Sequence, residues 1–199
     1  MKSLITGSLV LGLVLLTSCS GTRGRIMSDT DQDFVGNTGA GAATYDRLIN
    51  ESVTKLLRGH SAARTGAAPL KIALLNVENK TVEEIGDWQD QIYALLSTSI
   101  NQADRYTTIS QRFVSAALRE GRLRTDDLFI PAKRRTFAAI LEQQGQPVDA
   151  LVFPELTSGS TRAAGETSQR NYNLRLELVD VQSGTTEEVS ARIRKEYQR

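Results

Sequence analysis

The last third of the chain constrains the fold most. Tyr172, Leu174, Leu176 and Leu178 alternate with Asn173, Arg175, Glu177 and Val179. A period of two puts alternate side chains on opposite faces of a pleated strand. The large apolar set must therefore cover a core, while Asn173, Arg175 and Glu177 take the open face. Ser183-Gly184 supplies a turn, and Val189, Ala191 and Ile193 alternate with Ser190, Arg192 and Arg194 on the return. Before both, Ala150 to Leu156 is a more continuously apolar strand run. Three strands in succession predict a C-terminal β-meander, which is stable only if other elements cover its apolar face.

The preceding segments supply that cover. Thr44 is expected to cap a helix with its stripe on Leu48, Ile49, Ser52, Val53, Leu56 and Leu57, stopped by Gly59. Leu70 to Val77 follows Pro69 and is too short for a helix, so it reads as a buried strand, with a turn at Asn79-Lys80-Thr81. A second helix carries Trp88, Ile92, Leu95, Leu96, Ser99 and Ile100, and Tyr106 to Ile109 is a short strand. Ser110 is placed to cap a third helix (Phe113, Val114, Ala117, Leu118) that Gly121 ends. Pro131 opens a fourth (Phe137, Ile140, Leu141) that Gly145 closes. The order α-β-α-β-α-α-β-β-β predicts one α/β domain. Its sheet is mixed and mostly antiparallel, is covered by helices mainly on one face, and ends in the β-meander.

The N-terminus has a different character. Lys2 precedes an apolar run from Leu4 to Leu16 that is shorter than the ~20 residues a membrane-spanning helix needs. Leu16-Thr17-Ser18-Cys19 resembles the lipobox of bacterial lipoproteins, in which a thiol receives diacylglycerol before cleavage. This divides the chain into a signal peptide at 1–18, a lipidated tether at 19–43 and a domain at 44–199. Lipidation falls on Cys19, and Ser20, following it in place of Asp, favours the outer membrane. The tether is rich in Gly, Ser, Thr and Asp. Fully stretched, about two dozen residues reach roughly 80 Å, and as a coil about 25 to 30 Å.

Composition argues against several function classes. Removing Lys2 with the signal peptide takes the 24 basic residues to 23, against 23 acidic, which is no charge excess for general nucleic-acid binding. One cysteine and one histidine, His60, leave no set for a zinc or copper site and no organised Ser-His-Asp triad. Gly36 to Gly41 lacks the Lys-Ser/Thr and the preceding strand of a phosphate loop. The acidic clusters Glu83-Glu84 with Asp87 and Asp90, Asp126-Asp127, and Glu187-Glu188 fall in loops or helix starts, where carboxylates complement the helix dipole or face water. The chain is thus expected to be no enzyme and to use no metal or cofactor. The basic stretch Arg119, Arg122, Arg124, Lys133, Arg134 and Arg135 is either a solvated face with local ion pairs or a patch for an acidic partner.

From Leu70 onward the chain resembles a family. Leu70 to Thr81 (LKIALLNVENKT) resembles the opening strand and Asn-x-Thr turn of the penicillin-binding protein activator LpoB family. Leu95 to Ile100, Arg105 to Ser110, Val148 to Phe153 and Leu174 to Gly184 follow in the same order, and Tyr45-Asp46 fits the first helix. The resemblance implies an outer-membrane lipoprotein, facing the periplasm, that binds the regulatory domain of a class A penicillin-binding protein and activates peptidoglycan synthesis as a monomer. A runner-up is a lipoprotein like the curli-secretion channel, which oligomerises into a pore and needs long amphipathic hairpins; the third reading is a cell-wall glycan enzyme. For the docking face, the candidates are Phe153, Glu155, Asn173, Arg175 and Glu177. Phe153 is either an outward aromatic anchor, as the resemblance implies, or a core residue.

Overall fold

The computed structural model describes residues 40–59, 69–103, 105–162 and 167–198. Cys19, the signal peptide, the tether up to residue 39 and His60 lie outside them. The described chain forms α1 (Ala42–Gly59), β1 (Leu70–Leu74), β2 (Glu78–Lys80), α2 (Trp88–Asn101), β3 (Tyr106–Thr108) and α3 (Gln111–Glu120). A 3-10 turn (Thr125–Phe129), α4 (Pro131–Gln143), β4 (Ala150–Arg162), β5 (Thr167–Asp180) and β6 (Thr186–Gln198) follow.

The six strands make one mixed sheet in the order β3-β1-β4-β5-β6, with β2 also paired to β4. The short N-terminal strands pair in parallel, β1 with β3 and β4, and β2 with β4. The long β4-β5-β6 meander is antiparallel and supplies most of the ladder. This is the α/β class expected, with its C-terminal meander. The strands are longer than their apolar alternation indicates, because Ser158 to Thr161 and Gln169 to Asn171 continue the ladder without large apolar side chains.

The helical cover differs from the expectation of one main face: two helices lie on each face. Ile72, Leu74, Val152, Leu156, Leu174, Leu176 and Leu178 form the larger core with α1 and α2. Ala73, Leu75, Leu151, Phe153 and Val179 form a second with α3, the 3-10 turn and α4. The reason lies in the run Ile72 to Leu75 and the start of β4, whose consecutive residues are all apolar, so neither of their faces tolerates water. Beyond Pro154 the second face turns polar and its helical cover stops.

A one-residue slip prepares that polar face. Leu74 pairs with Val152 and Glu78 with Glu155, so four steps along β1 and β2 are matched by three along β4. The extra residue is a bulge, which reverses the alternation. Val77 is thereby kept in the larger core while Glu78 and Lys80 reach the opposite face. Around the bulge, Gln89 Nε2 donates to the Val77 carbonyl at 2.6 Å and the Tyr93 hydroxyl donates to that of Leu74 at 3.3 Å. Tyr93 thus takes an inner position on α2, and Leu95, expected inside, is 39% exposed.

The Asn79-Lys80-Thr81 segment is a strand end followed by a self-bonded loop. Asn79 Oδ1 accepts from the Thr81 backbone N–H at 3.0 Å, and Asn79 Nδ2 donates to the Glu83 carbonyl at 2.9 Å. The loop presents Glu83, whose carboxylate accepts from the Tyr172 hydroxyl (2.5 Å), from Arg170, and from the Ala40 backbone N–H (3.2 Å). The chain is therefore fastened to the domain before α1 begins. Contrary to the expectation from sequence, Thr44 does not cap α1, which starts at Ala42; it is buried in the first turn, and its N–H and that of Tyr45 donate to the Gly41 carbonyl. Ser110 holds the cap position of α3, with no side-chain capping bond.

The domain boundary at 44 thus cuts into the folded unit. A chain beginning at Thr44 should be about 1 to 2 kcal/mol less stable in urea unfolding than one beginning at Gln32, having lost the Gly41 carbonyl and the Ala40 to Glu83 bond. Equal stabilities would contradict this.

Candidate docking groove on the open sheet face

Side chains of β4, β5 and β2 that point away from the larger core form a groove. Phe153, Glu155, Arg175 and Glu177 line it together with Asn76, Glu78, Lys80, Thr125, Asp126, Phe129 and Pro154. Register explains the grouping. Phe153 stands opposite Glu177, Glu155 opposite both Arg175 and Glu78, and paired residues share a face. Asn173 is on the same face but opposite Thr157, one pair further along, and does not line the groove. Its Oδ1 is buried with no hydrogen-bond partner among the described residues.

The two readings of Phe153 resolve into a layered arrangement. Phe153 is only 8% exposed and belongs to the second core. Its outer surface is covered by Phe129, with ring centroids 4.5 Å apart and planes inclined by 27°. Phe129 is itself 45% exposed, so the aromatic surface that solvent meets is Phe129. The sequence reading missed this residue, since it sits in a 3-10 turn without periodicity. The only local signal is the Leu128-Phe129-Ile130 apolar triplet before Pro131.

That turn is held by part of the basic stretch. Asp127 Oδ2 accepts from the Arg124 backbone N–H at 2.9 Å, and its Oδ1 from Lys133 Nζ at 2.6 Å. These two bonds and the nearby charges of Lys133 and Arg124 outweigh desolvation and lower the Asp127 carboxyl pKa. Arg134 is 6% exposed and donates to the Leu128 carbonyl (3.3 Å) and the Val181 carbonyl (3.4 Å). Lys133 makes a local ion pair with Asp127, and together with the buried Arg134 it fastens the Phe129 turn, Arg134 also reaching the β5–β6 connection. Arg119, Arg122, Arg124 and Arg135 remain exposed. Burial of Arg134 in a helix stripe also explains why cations sit at the start of α4.

Charge in the groove is organised around Glu155. Its carboxylate pairs with Lys80, which also reaches Glu78 at 3.2 Å, and with Arg175 at 3.1 Å, which reaches Glu188 at 3.3 Å. Burial pushes the Glu155 pKa up, but the Lys80 bond and the Arg175 charge more than offset it, so its carboxyl stays below the ordinary range. Partial burial lowers the Arg175 pKa, and the carboxylates of Glu155, Glu188 and Glu177 reverse that into a net rise. Both partners are thus charged at neutral pH. Among the described residues no group of three or more His, Cys, Asp and Glu side chains could hold a metal ion.

Solved structures share this fold, among them three of LpoB. The LpoB C-terminal domain from Escherichia coli superposes with a TM-score of 0.52 at 16% identity, over 75% of this chain and 97% of that one. The LpoB C-terminal domain from Salmonella enterica gives 0.51 at 15%, over the same shares. The NMR structure of E. coli LpoB gives 0.50 at 14%, covering 100% of this chain and 94% of that one. The chain therefore has an LpoB-like fold. No protein-family model and no curated protein matches it by sequence.

Because Phe153 is buried and Phe129 is half in solvent, their truncations should separate. Phe153→Ala should cost about 3 to 5 kcal/mol in urea unfolding. Phe129→Ala should cost only about 1 kcal/mol, mainly the lost ring stacking. Similar losses for the two would contradict the layered arrangement.

Proposed function

We propose that the chain is an outer-membrane lipoprotein, anchored through Cys19 and facing the periplasm, that binds and activates a class A penicillin-binding protein. The observation that carries this reading is the LpoB-like architecture, spanning 97% of the E. coli LpoB C-terminal domain. The lipobox and the ordered run of motifs from Leu70 to Gly184 point the same way. In this reading the chain does no chemistry and needs no cofactor. It docks as a monomer on the synthase's regulatory domain and thereby promotes glycan polymerisation and crosslinking. The docking face is the open sheet face bearing Phe153, Glu155, Asn173, Arg175 and Glu177, with Phe129 as its outermost aromatic surface.

The test is a lipid II polymerisation assay with the purified full chain and the class A synthases of its own bacterium. The expected result is a higher initial rate with one synthase and no turnover by the chain alone. Unchanged rates with every synthase would refute the reading; ring-shaped oligomers would favour the secretion channel, and glycan cleavage by the chain alone would favour an enzyme. In the same bacterium, Cys19→Ala should leave the protein soluble or stuck as an uncleaved precursor, and normal processing with membrane recovery would refute the anchor.

A further inference from the structure

The groove carries a charge imbalance that specifies what fits it. Its two cations are already engaged, Lys80 by Glu155 and Glu78, Arg175 by Glu155 and Glu188. Asp126 and Glu177 also line it, and among the described residues their carboxylates form neither a hydrogen bond nor an ion pair. Asp126 is exposed beside the half-exposed Phe129 ring, and Glu177 stands opposite Phe153, on which that ring stacks. The stacked rings thus share the groove with two carboxylates that form no ion pair, Glu177 acting on Arg175 only through its charge. The groove is lined by four carboxylates (Glu78, Asp126, Glu155 and Glu177) and two cations (Lys80 and Arg175), so a ligand seated on the Phe129 ring that carries negative charge meets net repulsion.

We propose that this groove receives a protein segment presenting an aromatic or large apolar side chain flanked by Arg or Lys. The inserted side chain packs on Phe129, and the flanking cations pair with Asp126 and Glu177. The inference deepens the proposed docking by assigning the chemistry of the partner's contact segment. It also makes an anionic wall polymer a poor occupant of this face. Rim cations of this kind act mainly on the rate of encounter and on partner choice, while the aromatic contact sets the lifetime of the complex.

The probe is a pair of short peptides, acetyl-Arg-Trp-Arg-amide and acetyl-Glu-Trp-Glu-amide, titrated into the isotope-labelled full chain in detergent and followed by amide NMR. The arginine peptide should shift the resonances of Asp126, Phe129 and Glu177 saturably, less so at higher salt, and the glutamate peptide should not. Phe129→Ala should weaken the arginine peptide roughly tenfold, and Asp126→Asn with Glu177→Gln roughly threefold. No shifts in the groove, equal response to both peptides, or undiminished binding by the variants overturns the proposal. A parallel binding measurement with the synthases separates the two levels. Peptide selectivity without any synthase binding keeps this inference and removes the proposed function. Synthase binding that is untouched by the variants, with no peptide response, does the reverse.

Discussion

The structure depends on β4 being a strand shared between two different environments. Along Leu151, Val152 and Phe153 both of its faces are apolar and buried. One turn of the pleat later, Leu156 still faces the larger core while Glu155 has joined an ion-pair network on the other side. The first half demands helices on both faces, which α1 and α2 on one side and α3 and α4 on the other supply. The second half needs cover on one face only. An open groove results where the second layer ends, and its aromatic rim is Phe129, the last residue of the 3-10 turn.

Several local devices serve this one boundary. The bulge between β1 and β2 brings Glu78 and Lys80 onto the face of Glu155, where a regular strand would have sent them into the core. Pro154 lies opposite that interruption, where the ladder is already broken and its missing N–H is least costly. Asp127, Lys133 and Arg134 hold the turn that lays Phe129 over Phe153. Arg134 also touches the β5–β6 connection, where Gly184 has a positive φ of 74° and an added Cβ would come within 2.6 Å of the guanidinium. Turn, connection and groove rim are thus mechanically one unit.

The parts of this fold that follow from periodicity were legible in the sequence. The meander and the stripes Leu48-Ile49-Ser52-Val53-Leu56 and Phe137-Leu141 are buried as their spacing indicates. Of the residues singled out from the sequence, register brings Phe153, Glu155, Arg175 and Glu177 to one groove and leaves Asn173 outside it. What was hidden depends on single displacements. A one-residue bulge moved Lys80 to the site, a 3-10 turn placed Phe129 there, and a buried arginine disguised itself as surface charge. None of these has a repeat by which a sequence could announce it. The second helical layer follows from the run Ile72-Ala73-Leu74-Leu75, whose two faces each need apolar cover, a demand that strand periodicity alone does not signal.

In the proposed function the working surface is the uncovered face, and α1 and α2 are structural cover. Site-specific photo-crosslinking in cells tests that division most directly. A p-benzoylphenylalanine placed at position 129, on the groove rim, should give a covalent adduct with a class A synthase. The same group at position 95, where Leu95 is 39% exposed on α2, should give none. An adduct from position 95 alone, or from neither position in cells where the protein is anchored and active, would contradict the account.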